Sequence, residues 1–450
     1  MKTTRGRLSF PILFALIAMA VVLVACGNGK REAQHKNGRI VLEFWHAMGS
    51  GQAKALNEIA DAFNKSQDKY FVQTIYQGRY DVLSQKLIAS LYAKKNPVMS
   101  QQYPGWTARY FEFGYLEPIQ NFVDKDPEFK AQISDFYPAM IAENTQADPR
   151  TGEQTLVTLP FNKSVYVLYM NQDRMEAAGW KEPPKTWDEM LELAQKMTIY
   201  PENRTADSEP IVYGFASRPY IEDFTVQALS ADTQLMDEKD GTILIDSEKG
   251  RAALDFLHTL VTGKDGKRAG YVESNYLSNV FGSQRIAMYI GSTASFTFND
   301  TSVGTAFVWR AYRVPPRDAN TVGKTLMQGT NAGIYKNSTD EEKAGAWEFV
   351  KFLVSPEQNA KWAIDTGYMP TRHATLAVPR FAEQMKKDVR YANAVGTLDY
   401  ATAEPRMIYW ESVRQLLNRQ VEAIMLNRRK VDDVLKESRS LIEQIKKTTD

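Results

Sequence analysis

The chain reads as an α/β protein of more than one domain. Three features predict this: a strand-helix-strand-helix-strand order near its start, further strands alternating with helices through its middle, and 450 residues of which 43% are hydrophobic. A chain of that length buries more than one core, which suggests two or three domains.

The first run begins at Ile40-Val41-Leu42-Glu43-Phe44-Trp45, a mostly apolar stretch suited to a strand covered on both faces. Ala53, Leu56, Ile59, Ala60 and Phe63 then share one face at helical spacing, and 70–76 returns to a strand pattern. Val82, Leu83, Leu87, Ile88 and Leu91 mark a second helix, closed by the Asn96-Pro97 turn, and 98–103 reads as a third strand. Such an order builds a parallel sheet with helices on both faces, and ligands lie beyond the carboxyl ends of its strands. The loops near Trp45, at Gly78-Arg79-Tyr80 and at Tyr103-Pro104-Gly105-Trp106 are therefore candidate ligand walls.

In the middle, Leu159-Pro160-Phe161-Asn162 leads into a strand over 165–170, and Pro183-Pro184-Lys185-Thr186-Trp187 opens a helix in which Thr186 and Glu189 have capping-box spacing. Asp240-Gly241 is a hairpin turn, 252–261 an amphipathic helix, and 285–290 a strand running into Gly291-Ser292-Thr293-Ala294-Ser295. Helices are expected over 341–353 and 356–365, with two long ones past Arg406.

The 55 basic and 54 acidic residues nearly cancel and the basic ones are scattered, which disfavours a nucleic-acid partner. Four histidines, at 35, 46, 258 and 373, and one cysteine have no metal-ligand spacing, so no metal is expected. The hydrolase elbow, the Walker loop and the dinucleotide fingerprint are all missing, and no cofactor is expected. Asp237-Glu238-Lys239-Asp240 lacks the alternating oxygen ligands of a calcium loop and reads as a solvated turn.

Lys2, Arg5 and Arg7 precede an apolar run over 10–25 that ends in Leu23-Val24-Ala25-Cys26. This is the pattern of a secretory signal, 1–25, with lipidation at Cys26, followed by a flexible tether over 26–38. With no second cysteine, no internal disulfide can form, so the exported body is held by its core.

The remaining features bind rather than react. Ser292 sits where a strand meets a helix start and serves either as an anion cradle or as a plain N-cap. Trp187 either stacks on a polyol or staples its helix to the core. Tyr368 and Arg406 pair a hydroxyl and a guanidinium with aromatic surroundings, a chemistry suited to phosphate, whereas an arginine near a helix start is usually a surface ion pair.

From Leu42 to the C-terminal helices the chain resembles the solute-binding proteins of ABC sugar importers. The resemblance is carried by Phe44-Trp45-His46-Ala47-Met48, Tyr76-Gln77-Gly78-Arg79-Tyr80, Leu159-Pro160-Phe161-Asn162-Lys163-Ser164, Pro183-Pro184-Lys185-Thr186-Trp187, Thr366-Gly367-Tyr368-Met369-Pro370 and the Arg406 segment. It implies the type II periplasmic-binding fold: two α/β lobes, each a mainly parallel sheet flanked by helices, with a hinge between them. On this chain the lobes would comprise 39–160 with 325–385 and 161–324 with 386–450. The hinge would lie near 159–161, 325–329 and 381–391.

The resemblance places ligand contacts on Tyr80, Ser164, Ser292, Gly329, Tyr368 and Arg406, with Trp187 as aromatic platform. Pro104 stands where that family has a hydroxyl-binding glutamate, so Pro104, Trp106 and Lys163 are candidate walls for a different or anionic ligand. The expected protein is a monomeric, lipid-anchored extracytoplasmic binder, not an enzyme. It would deliver glycerol 3-phosphate or a glycerophosphodiester to an ABC permease. The rivals are a neutral oligosaccharide binder and a secreted lipoprotein enzyme acting on glycans or phosphodiesters.

Overall fold

The computed structural model describes residues 32–205, 208–264 and 269–449, so the expected signal segment and Cys26 lie outside the described residues. The expected tether overlaps them at its end, which is not loose. His35–Lys36 pairs antiparallel with the start of β1 (Arg39–His46), around an Asn37-Gly38 turn with both φ values positive. Asn-Gly is the preferred pair for that turn, so the hairpin has a sequence signal that the tether reading passed over.

The first lobe follows the predicted order: β1, α1 (Ser50–Ser66), β2 (Tyr70–Tyr76), α2 (Tyr80–Tyr92) and β3 (Met99–Gln102). β1 lies parallel between β2 and β3. Its Leu42 and Phe44 bury against Leu56, Ile59 and Phe63 of α1, whose apolar residues recur at helical spacing. α3 (Pro104–Glu112) and α4 (Pro138–Asn144) follow, each with proline at its first position, where the missing N–H costs nothing.

β4 (Leu159–Asn171) is buried along its whole length and leaves the first lobe for the second. There the chain forms α5 (Trp187–Met197), β5 (Tyr213–Ser217), α6 (Ile221–Ser230), α7 (Glu248–Thr262), β6 (Gly270–Val272), β7 (Ile286–Ser292) and β8 (Trp309–Tyr312). β5 is parallel to both β6 and β7, while β7 and β8 run antiparallel to β4.

β9 (Thr325–Tyr335) returns to the first lobe, where α8 (Asp340–Leu353) and α9 (Pro356–Thr366) add Phe349 and Trp362 to the core around Phe44. A capping box starts α8 at Thr339 and Glu342. At Thr186 only the N-cap half forms, because Glu189 reaches the Lys185 N–H instead. The chain crosses again through α10 (Pro379–Lys387), and α11 (Val389–Gly396) sets Tyr391 against Phe296 at 5.3 Å. α12 (Trp410–Met425) and α13 (Val431–Thr449) close the second lobe over Trp187, Leu254 and Leu257. Among the described residues no helix is long and apolar enough to cross a membrane.

β4 and β9 run antiparallel through both lobes, and their pairing is irregular at the crossing. Thr330 faces Asn162 while Asn331 faces Pro160, so Phe161 is the extra residue of a bulge. Pro160 has no N–H to give a ladder, which is why a central strand tolerates it only at such an irregularity. Gly329 beside the bulge has φ +122°, and a Cβ there would lie 1.9 Å from the Asn162 carbonyl oxygen.

Polar side chains fill this crossing. Lys163 is 0% exposed and paired with Glu143 of α4, which also accepts from Asn331 at 3.1 Å. Asn144 donates to Asn331 at 3.1 Å and accepts from Thr158 at 2.5 Å. Gln101 donates to both Asn162 and Thr330 at 3.0 Å. A buried ammonium is tolerated only with its counter-charge present. Glu143→Ala should therefore lower stability by about 3–5 kcal/mol in urea unfolding, whereas joint replacement by Glu143→Leu and Lys163→Met should cost much less.

Candidate functional site

The carboxyl ends of β5, β6 and β7 point the same way, toward the first lobe. They carry Arg218, the loop with Tyr276, and Ser292 respectively. Ser292 opposes Tyr166 on β4, and Ser164, on the same face two residues earlier, opposes Gln328 on β9. From this ladder a chain of hydrogen bonds runs outward. Tyr166 donates to Gln328 at 3.1 Å, and Gln328 donates to Glu404 at 2.9 Å. Glu404 accepts from Arg414 of α12 at 3.3 Å, and Arg414 is also paired with Glu222 in the first turn of α6.

The opposite wall is tyrosine. Tyr80 opens α2, Tyr103 precedes α3, and Tyr368 follows Gly367, the left-handed residue that ends α9. Tyr80 and Tyr103 meet edge to face at 4.9 Å, and Tyr103 meets Trp106 at 5.3 Å. The Tyr80 and Tyr368 hydroxyls interact with each other and with Asn162. Tyr368 is also stacked on Trp362.

Electrostatics join the two walls. Burial raises the Tyr103 hydroxyl far above its usual range, and Tyr103 also feels Tyr368, Arg414, Glu404 and Glu222. Tyr368, raised by burial, feels Tyr276 across the gap. Burial lifts Glu404 above the usual carboxylate range, while Arg414 and Arg218 together overcome burial at Glu222 and hold it low. Burial and the neighbouring Glu222 push Asp223 up to about 7, against the pull of Arg218.

Of the residues singled out in the sequence, Tyr80, Ser164, Ser292, Gly329 and Tyr368 are brought together along β4, β7, β9 and the facing loops. The Ser292 hydroxyl accepts from the Ala294 N–H at 3.2 Å, so the N-cap role is filled there. Trp106 borders the wall through Tyr103, and Pro104 serves as the buried first residue of α3.

Three placements differ from expectation. Lys163 does not face a ligand; it is sealed against Glu143. Trp187 is 6% exposed, its ring stacked on Phe256 at 4.3 Å and its N–H given to Ser230 at 2.9 Å, so it staples α5 to the core and offers no platform. Arg406 pairs with Glu238 at 2.8 Å and donates to the Ala142 and Thr145 carbonyls, so its donors are spent bridging the second lobe to the end of α4.

Sequence reasoning missed Asn162, Tyr166, Arg218, Glu222, Asp223, Tyr276, Glu404 and Arg414. Only Arg218 and Tyr276 had a usable signal, since each follows a strand of a parallel sheet. Arg414 lies eight residues after Arg406, and nothing in the sequence prefers one to the other. Among the described residues no three His, Cys, Asp or Glu side chains converge as a metal site.

Two lobes joined by shared strands, with polar groups converging between them, define a solute-binding architecture. The chain belongs to the bacterial extracellular solute-binding protein family, whose model matches residues 58–393, and these proteins serve ABC importers. It is 26% identical over 353 residues to the sn-glycerol-3-phosphate-binding periplasmic protein UgpB of Yersinia pestis, covering 75% of this chain and 76% of that one. The Brucella abortus protein of the same name is 24% identical over 409 residues, covering 85% and 88%.

Among solved structures, UgpB from Mycobacterium tuberculosis in complex with glycerophosphocholine superposes with a TM-score of 0.78 at 18% identity, over 92% of this chain and all of that one. The GacH receptor of Streptomyces glaucescens, solved unliganded and with acarbose, gives 0.74 at 18% identity, over 90% and 98%. Both share the expected two-lobed fold.

Because Asp223 holds its proton more tightly folded than unfolded, its contribution to stability is present at low pH and lost as pH rises from about 4 toward about 7. Asp223→Asn should flatten the melting temperature across that window; an unchanged slope would place the titration elsewhere.

Proposed function

We propose that this protein captures a glycerophosphodiester between its lobes and hands it unaltered to the transmembrane subunits of an ABC permease. The supporting observation is the makeup of the gap: three tyrosines on one wall, and on the other two guanidiniums, Arg218 and Arg414, among three carboxylates, Glu222, Asp223 and Glu404. Carboxylates accept hydrogen bonds from glycerol hydroxyls, and guanidiniums donate to phosphoryl oxygens.

The charge balance favours a diester over glycerol 3-phosphate. A phosphomonoester carries about −1.5 to −2 at neutral pH, and its second negative charge meets Glu222 and Glu404, to which Arg414 is already committed. A diester carries one charge, and a diester with a cationic head group is neutral overall. The same carboxylates and tyrosines suit a neutral oligosaccharide, which keeps that class as the competing reading.

In this reading Cys26 carries lipid that tethers a monomer outside the cytoplasm, and Ser164, Ser292, Tyr80, Tyr368 and the Gly329 backbone line the ligand. No covalent step is assigned to the site.

Thermal melts with glycerophosphocholine, sn-glycerol 3-phosphate and maltose test the ligand class. A true ligand at 100 times its dissociation constant adds about 2.7 kcal/mol of stability. The diester should shift the melt at the lowest concentration; a shift by maltose alone would transfer the assignment to sugars, and turnover of the diester would make the protein an enzyme. In a bacterial host, Cys26→Ser should abolish incorporation of labelled palmitate, and retained label would remove the anchor.

A further inference from the structure

Among the described residues, three cationic side chains close to the crossing or the gap are already committed. Lys163 is sealed against Glu143. Arg406 is held by Glu238 and by two carbonyls. Arg414 is shared by Glu222 and Glu404. Arg218 differs: among the described residues no side-chain or backbone acceptor takes a hydrogen bond from its guanidinium.

Arg218 is nevertheless held in place. It follows Ser217 at the carboxyl end of β5, and its guanidinium carbon lies 4.9 Å from the centre of the Tyr220 ring and 5.7 Å from that of Tyr276. Tyr220 donates to the Ser274 carbonyl at 2.9 Å, which ties the loop carrying Tyr276 to the loop carrying Arg218. Burial works to lower the affinity of Arg218 for its proton, but Tyr166, Asp223, Glu222 and Tyr276 outweigh it, so the charge is fixed. Tyr276 is 78% exposed and near enough to the buried Tyr368 to influence it, which puts the Tyr276 ring at the outer edge of the gap.

The geometry points to Arg218, flanked by Tyr276, as the subsite that grips the ligand's phosphoryl group, with the glycerol end directed inward to Glu404, Arg414 and Glu222. This rests on the phosphodiester reading above and adds to it an orientation. A guanidinium steadied between two rings and lacking an acceptor presents a pre-formed fork of N–H donors to two phosphoryl oxygens. The inner carboxylates, already bonded to Arg414, keep lone pairs free for the glycerol hydroxyls, which need acceptors. The head group then passes the exposed ring of Tyr276 into solvent, so the site reads the phosphoryl and glycerol parts and leaves the head group loosely contacted.

Titration calorimetry of Arg218→Gln with glycerophosphocholine and with glycerol tests this assignment. Loss of a charge-assisted hydrogen bond predicts about a tenfold to hundredfold weaker diester binding. Arg218→Lys should recover part of that loss, because it restores the charge and not the fork. Glycerol binding should fall far less than diester binding, and an equal fall in both overturns the subsite.

Equal diester affinity in wild type and Arg218→Gln overturns the subsite while leaving the phosphodiester reading intact. A wild-type protein that binds no phosphate-bearing probe overturns both. If the variant fails to fold, a crystal of the wild type with glycerophosphocholine decides. Phosphoryl oxygens within hydrogen-bond distance of the Arg218 guanidinium support the assignment, and phosphoryl oxygens on Ser164, Ser292 or Arg414 overturn it.

Discussion

The two lobes share two strands, and where those strands pass from one lobe to the other they bury the ammonium of Lys163 against Glu143. Burial pushes that ammonium below its usual range, against the pull of Glu143. The carboxylate comes from α4, so the pair, with Asn331 beside it, fixes α4 relative to β4 and β9. The bulge at Phe161 and the positive φ of Gly329 sit at the same place. The shared strands are thus irregular at the point where they pass between the lobes.

The rest of the site hangs from this crossing. Ser164 and Gln328 face each other just beyond it with Tyr166 two residues on, and the hydrogen bonds from Tyr166 through Gln328 to Glu404 and Arg414 carry its position out to α12. The tyrosine wall is set from the other side, because Asn162, one residue before Lys163, meets the Tyr80 and Tyr368 hydroxyls. Both walls are thus tied to residues of the crossing itself.

Charge in the gap is distributed by commitment, not by proximity alone. Glu222 lies between Arg414 and Arg218 and is held ionised by both, while Asp223 next to it is driven toward its neutral form. Two adjacent carboxylates on one helix turn thus shift in opposite directions, because Arg414 is paired with Glu222 while burial dominates at Asp223. Structural relatives of this architecture were solved with acarbose and with glycerophosphocholine, so the fold by itself does not set the ligand class.

The amino-acid sequence alone determined the parallel first lobe, helices such as 341–353 and 356–365, and the tyrosines at the ends of strands and helices. These depend on local periodicity, capping and turn chemistry, which neighbouring residues set. The hairpin around Asn37-Gly38 lies inside the expected tether, because a turn pair within a polar segment has the same local signature as flexible chain.

The partners of Trp187, Arg406 and Arg218 were decided by tertiary structure. An indole near a helix start looks the same whether Phe256 or a ligand covers it, and an arginine looks the same with or without a carboxylate 168 residues away, as at Glu238 and Arg406. Long-range packing assigns such groups, because a side chain's role depends on what has already taken its hydrogen bonds, and that is settled only when distant segments meet.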